Sequence, residues 1–208
     1  MSSYYEIIDG VRLPAKLGGH PALELCNTFA GWNGEPEVEY LVSYDALALW
    51  AGHVGLLEGD RVEQVRAAGA RRPKEAAAVL DRAQDFRAAL YPLFQESKRT
   101  AEPSPVITDE LHAAATAVRI TPTGATFEWQ LPADCGLEAP LLAAAWSAAG
   151  LLTSHDMRAV RACPGGGCGW LFLDHRGRRR WCSMATCGNR SKVRRFSARH
   201  QAGREAPH

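Results

Sequence analysis

The chain has 208 residues, 46% of them hydrophobic, and carries 24 lysines and arginines against 23 aspartates and glutamates. That length holds one large domain or a domain with a small module, and that hydrophobic content excludes a chain disordered throughout. The opening MSSYYEIIDG has no basic n-region and no apolar core, and no apolar run is long enough to cross a bilayer, so a cytoplasmic protein is expected.

The net charge of +1 conceals a division. From Arg158 to His208 there are twelve basic and two acidic side chains, about +10, which leaves about −9 on the first 157 residues. An acidic body with a basic end is the pattern of a regulatory or docking domain joined to a polyanion-binding module.

In chain order, residues 4–13 (YYEIIDGVRL) read as a short strand or an extended arm, ended by Pro14 and Gly18-Gly19. Pro21 suits the first turn of a helix with Ala22, Leu25 and Phe29 on one face. His20, Glu24, Asn27 and Thr28 are polar positions around that apolar helix, with Trp32 just beyond. Their plain role is helix-end hydrogen bonding. The functional alternative is a small-ligand or effector pocket between this segment and the next helix, which carries Tyr44 and Trp50. Ser43 caps that helix, predicted to reach about Leu57, and Asp60 caps another with Val62 and Val65.

Residues 73–100 carry the longest helical pattern, through Ala76, Leu80, Ala83, Phe86 and Leu90, with Pro92 expected to kink or end it. After AEPSP, Thr108 caps a helix to about Val118. The stretch RITPTGATFEWQL then reads as two strands around a Pro-Thr-Gly turn. Residues 139–155 form a buried helix containing Trp146. The expected fold is therefore a mainly α domain with one small β-hairpin (α+β) over residues 1–156, a C-terminal module over 157–200, and a disordered tail over 201–208. Cys26 and Cys135 are expected to be buried free thiols.

Four of the six cysteines form two equal CxxxxC pairs, Cys163 with Cys168 and Cys182 with Cys187. Two such knuckles can surround one tetrahedral ion, and zinc takes four thiolates at about 2.3 Å in closed, structural sites. A module of roughly 45 residues has too few apolar side chains to fold without a staple. Two disulfides are the alternative; the paired spacing and the lack of an export signal favour zinc.

Within the module, Gly165, Gly166 and Gly167 allow a sharp turn. MRAVRAC reads as a strand entering the first knuckle, WLFLD as a strand and Gly177 as the tip of a turn, so the metal would pin a hairpin with Trp170 and Trp181 near its base. GNRSKVRRFSARH follows as an amphipathic helix, giving a ββα-like unit. On a helical wheel Asn189, Val193, Phe196 and His200 share a stripe expected to pack on the hairpin. Arg190, Lys192, Arg194, Arg195 and Arg199 cover the outward arc. With Arg178, Arg179 and Arg180 on the hairpin arm, they could straddle a nucleic-acid backbone or place the helix in a major groove. A solvated basic face, or a clamp onto the acidic body, is the plain alternative.

The segments CGWLFLD and RRWCSMATCGNRSKVRRF resemble the CGNR zinc-finger family, whose name matches Cys187-Gly188-Asn189-Arg190. The resemblance covers the last 45 to 50 residues. The body, with LELCNTF at residues 23–29, is similar to the ABATE domain that usually precedes this finger. Proteins of this architecture are regarded as stress-induced transcription regulators of bacteria. The resemblance implies one Zn²⁺ on Cys163, Cys168, Cys182 and Cys187, and DNA binding by the module. The turn 174–180 is shorter than the family pattern, with His175 where a small hydroxyl residue is common.

The expected function is a zinc-dependent, DNA-binding transcription regulator at the nucleoid, whose N-terminal domain senses a small effector or forms a homodimer. An RNA-binding or protein-interaction module is the alternative. An enzyme with its site in the N-terminal domain ranks below both, because no nucleophile elbow, P-loop or HExxH helix is present.

Overall fold

The structure, a computed structural model, describes residues 4–34, 36–95 and 102–202. The chain opens as a hairpin, β1 (Tyr5–Ile8) against β2 (Val11–Pro14). Asp9 and Gly10, at φ 48° and 78°, make its two-residue turn. Asp-Gly is the dipeptide that such a turn favours, which is why the expected arm is a closed hairpin. Pro21 starts α1 (Pro21–Cys26), and the ring nitrogen of His20 caps it by accepting the Ala22 N–H at 3.2 Å. A second short hairpin pairs β3 (Phe29–Ala30) with β4 (Val38–Glu39).

Ser43 caps α2 (Tyr44–His53) through the Ala46 N–H at 3.1 Å; the helix stops four residues before the expected Leu57. Then come α3 (Gly59–Arg71) and α4 (Pro73–Phe94). α4 ends two residues after Pro92, with Gln95 already extended and its N–H on the Pro92 carbonyl, so the helix stops early as expected. The remainder of the predicted pattern, residues 96–100, lies outside the described residues. α5 (Pro105–Ala117) begins three residues before Thr108, with Pro105 in its first turn. Next are the predicted hairpin, β5 (Arg119–Thr123) with β6 (Thr126–Gln130), and the core helix α6 (Ala139–Thr153).

The helical run Ala133–Thr153 has 21 residues and mean hydropathy 1.4, which by length and composition alone would cross a bilayer. Gly136 breaks it at φ 54°, and α6 lies at the centre of the body against α1, α2 and α5. Its apolar surface is therefore accounted for by packing. Buried Trp50, Phe86, Phe94 and Leu90 belong to the same core.

The body thus has three hairpins among its described residues rather than the one expected. Its core also does not end where the body ends. Val160 and Leu171, from the two strands beside the first cysteine knuckle, belong to the same buried cluster as α1, α2 and α6. A smaller cluster surrounds the cysteines and includes Tyr40, Trp170 and Phe172. The last helix, α7 (Asn189–Ala202), runs two residues into the segment expected to be disordered; residues 203–208 lie outside the described residues.

Candidate metal centre and basic surface

β7 (Val160–Ala162) and β8 (Leu171–Leu173) pair antiparallel, Ala162 opposite Leu171, and so close the first knuckle into a loop. The Cys163 N–H bonds the Trp170 carbonyl at 2.8 Å and the Cys168 N–H bonds that of Gly165 at 3.0 Å. The second knuckle is a wide turn, Met184–Gly188, closed by the Gly188 N–H on the Ser183 carbonyl at 3.0 Å.

These two turns bring the four sulfur atoms within 4.8 Å of one another, all of them buried. Cys182 Sγ lies 3.7 Å from both Cys168 Sγ and Cys187 Sγ. A tetrahedron with metal–sulfur bonds of about 2.3 Å has edges of about 3.8 Å, so the spacing fits zinc. None of the four cysteines is in a disulfide. Hydrogen bonding to the Cys163 sulfur pushes the Cys168 and Cys182 thiols up, so a bound dication is what would let all four ionise together. A Cβ on Gly165 would stand 2.7 Å from Cys187 Sγ, so the first knuckle needs glycine there. Two groups then attend Cys187: the Tyr4 hydroxyl at 3.2 Å and the Arg190 guanidinium at 3.5 Å.

The strands flank the first knuckle, so the hairpin is not the expected one around Gly177. Arg178, Arg179 and Arg180 lie in a loop, because the Asp174 carboxylate accepts the N–H groups of Arg178 and Arg179 at 3.0 Å each and curls the chain. Arg179 is engaged with protein. Its guanidinium bonds the carbonyls of Leu17 at 2.7 Å and Cys182 at 2.6 Å and covers the Phe172 ring at 4.5 Å. Arg178 and Arg180 stay exposed, Arg180 over Trp181.

The face of α7 that meets the module also differs from expectation. Val193 and Phe196 are 64% and 66% exposed, and Asn189 is exposed with its amide on the Ala185 carbonyl at 3.2 Å. Arg190 turns toward Cys187 and lies over the Tyr4 ring at 5.2 Å. The metal ligand decides this orientation, since the buried Cys187 fixes the rotation of the helix that starts two residues later. Every described side chain from Lys192 onward is exposed, Arg194 against Gly166 among them. The side chains of Arg195, Arg199 and His200 lie outside the described residues.

The polar residues of the body are placed as ties. Buried Glu24 accepts the N–H groups of Gly18 at 2.7 Å, Gly19 at 3.1 Å and Leu17 at 3.3 Å. Asn27, fully buried, takes the Leu171 N–H at 2.8 Å and gives its own amide to the Leu171 carbonyl at 3.0 Å. Thr28 donates to the Leu25 carbonyl at 2.6 Å and accepts from Arg87 at 2.9 Å. Trp32 stacks on Tyr91, centroids 3.8 Å apart. Tyr44 donates to the Leu137 carbonyl at 2.7 Å, and Trp50 is fully buried. Tyr44 and Trp50 thus sit in the helical core, while Asn27 and Trp32 sit at the seam with the cysteine module.

Sequence reading missed other parts of that seam. Tyr91 donates to the Gly169 carbonyl at 2.7 Å, Asn33 to that of Cys163 at 3.0 Å, and Trp170 to that of Phe29 at 2.9 Å. Arg87, buried in α4, forms a two-point ion pair with Glu39. An arginine on the inner face of an apolar helix was the available signal. Cys26 is buried, with its thiol pushed up by that burial, but Cys135 is half-buried rather than buried.

Two family profiles cover the chain. The CGNR zinc finger matches residues 159–200, and the ABATE family, described as "Putative stress-induced transcription regulator", matches residues 19–155. No curated protein matches the chain significantly. The Glu24–Asn27 ties fall within the ABATE match and the four buried sulfurs within the CGNR match, so the chain belongs to the ABATE family and carries a C-terminal CGNR zinc finger in which Cys163, Cys168, Cys182 and Cys187 hold one structural zinc ion.

Proposed function

We propose that the protein is a zinc-dependent transcription regulator of the cytoplasm that binds duplex DNA through its C-terminal end. The observation that carries this reading is a helix held at its root by a metal ligand and otherwise projecting into solvent, in the part of the chain with about +10 charge. Lys192, Arg194, Arg178 and Arg180 are the described groups available to phosphates, and Arg195 and Arg199 continue the set in sequence. Arg179 and Arg190 are assigned to holding the finger together.

One finger offers a small interface, so recognition by two copies is part of the proposal. The β5–β6 hairpin supports it: Ile120 pairs with Trp129 and Pro122 with Phe127 on one face, and Ile120, Trp129 and Phe127 are 57%, 55% and 70% exposed. An apolar face of this kind would pair with its own copy about a two-fold axis.

The test is fluorescence anisotropy of the zinc-loaded protein with labelled duplex DNA over a salt series. Binding should weaken steeply as salt rises, and Lys192→Ala with Arg194→Ala should reduce the salt slope by about 2. A salt-independent isotherm, or one untouched by the double change, sinks the DNA reading. The exposed Val193 and Phe196 within the basic helix favour one second reading, an acidic protein partner with an apolar contact. That partner would compete with DNA, and its binding would fall on loss of both apolar side chains.

A further inference from the structure

We infer that the seam between the β1–β2 hairpin and the first cysteine knuckle is a binding site for a one- or two-ring aromatic carboxylate. A half-open cavity of about 280 Å³ lies there. It is near the lower end of the range for small-molecule sites, roughly 300–1,000 Å³, and so suits a ligand of one or two rings.

Its walls are aromatic. Tyr4 and Tyr5 come from β1 and the residue before it, Tyr40 from the segment after β4, and Trp170 from the end of the knuckle. Trp170 and Tyr40 are 1% and 3% exposed, so the floor is fixed by the fold. Tyr4 stands edge-on to Trp170, centroids 5.5 Å apart. The polar handles of these rings already have protein partners. Trp170 donates to the Phe29 carbonyl at 2.9 Å, and the Tyr4 hydroxyl meets Cys187 Sγ at 3.2 Å. What the cavity receives from them is therefore π surface, which stacks on flat rings.

One cation gives the site its sign. The Arg12 guanidinium stands over the rings of Tyr5 at 4.6 Å and Tyr40 at 5.2 Å, and among the described residues no carboxylate forms an ion pair with it. Arg190 also lines the cavity, but the Cys187 sulfur occupies it. The Tyr40 hydroxyl takes one of the Arg12 hydrogen bonds, and a guanidinium with five N–H donors so held on aromatic faces keeps an edge that matches one carboxylate. Such a ligand would touch the N-terminal hairpin and the zinc finger together. Ligand binding at this seam does not require that the protein bind DNA.

The test is isothermal titration calorimetry of the zinc-loaded full chain with 1-naphthoate, its neutral counterpart 1-naphthamide, and inorganic phosphate. One saturable site for naphthoate is expected, with the amide at least tenfold weaker and phosphate failing to displace naphthoate. Arg12→Gln should weaken naphthoate at least tenfold and leave the amide unchanged. Val38→Trp, which fills the cavity from its β4 wall and keeps both arginines, should abolish binding at an unchanged content of one zinc per chain. Absence of a saturable naphthoate site overturns the inference. So does equal affinity for the amide, indifference to Arg12→Gln, or displacement by phosphate, which would assign the cation to phosphate. Binding retained by zinc-loaded Val38→Trp would place the ligand elsewhere and overturn it equally.

Discussion

At the scale of single residues, Asn27 ties the body to the cysteine module. The outer edge of β8 presents the N–H and C=O of Leu171 and the N–H of Leu173 toward α1. Asn27 takes both groups of Leu171, and the Gly18 carbonyl takes the Leu173 N–H at 2.9 Å. One side-chain amide thus replaces a stretch of third strand and closes an edge that would otherwise stay open. Asn27→Ala leaves a buried N–H and a buried C=O without partners, and each such orphan costs about 1–3 kcal/mol. A loss of about 3 kcal/mol is expected, read from the midpoint of urea unfolding of the zinc-loaded protein. A change below about 0.5 kcal/mol would mean that water satisfies Leu171 and that the tie is dispensable. The sequence marked Asn27 as polar on an apolar helix. It could not name Leu171 as the partner, 144 positions away, because a side-chain amide bonding to backbone leaves no pattern at the far end.

At the scale of elements, the helices and the strands β5 to β8 were legible, and the two-residue strands β3 and β4 were not. The 3.6-residue recurrence through Ala76, Ala83, Phe86 and Leu90 marks α4, and Ser43 marks the start of α2. Strands of two residues, as β3 and β4 are, are too short for an alternation to register. The wheel of α7 found a real apolar stripe, yet the stripe is exposed, because a covalently placed ligand outranks side-chain hydrophobicity in orienting a helix. The metal set was fully legible, since equal spacing of four cysteines has few other physical uses. The two knuckles are interlocked through Gly165, where a Cβ would meet Cys187 Sγ at 2.7 Å and Cys187 Cβ at 3.4 Å. Gly165→Ala should push Cys187 out of the tetrahedron and weaken zinc retention by at least tenfold in competition with a chromophoric chelator. Gly59→Ala makes the same change at the start of α3, where φ is ordinary for any residue and the Cβ meets open space, and should retain zinc as the parent does. Equal retention by both variants would show that the first knuckle can move aside.

At the scale of the whole molecule, the acidic body and the basic finger are one folded unit joined by buried contacts. Val160 and Leu171 fill the body's core, while Tyr91, Asn33, Phe29 and Gly18 supply or receive hydrogen bonds across the seam. The charge division suggested a domain joined to a polyanion-binding module, but charge reports the surface and says nothing of the face that two units share. The coupling has a measurable consequence. Removing zinc takes away the staple that holds β7 and β8 in place, and with them the partners of Asn27 and Tyr91. Helices α2 to α6 make their own core, so helical circular dichroism should largely persist after chelation. The body should nevertheless melt lower. Loss of about 2–3 kcal/mol of seam contacts corresponds to a fall of roughly 5–10 °C for a chain of this size. Calorimetry with and without a strong chelator, and with Cys182→Ser as the metal-free variant, reads this directly. A body transition unchanged by either would mean that the seam forms without contributing stability, and zinc would then organise the finger alone. A shift of the expected size would instead make zinc content, and any ligand bound at the seam, a quantity that the N-terminal domain registers through its own fold.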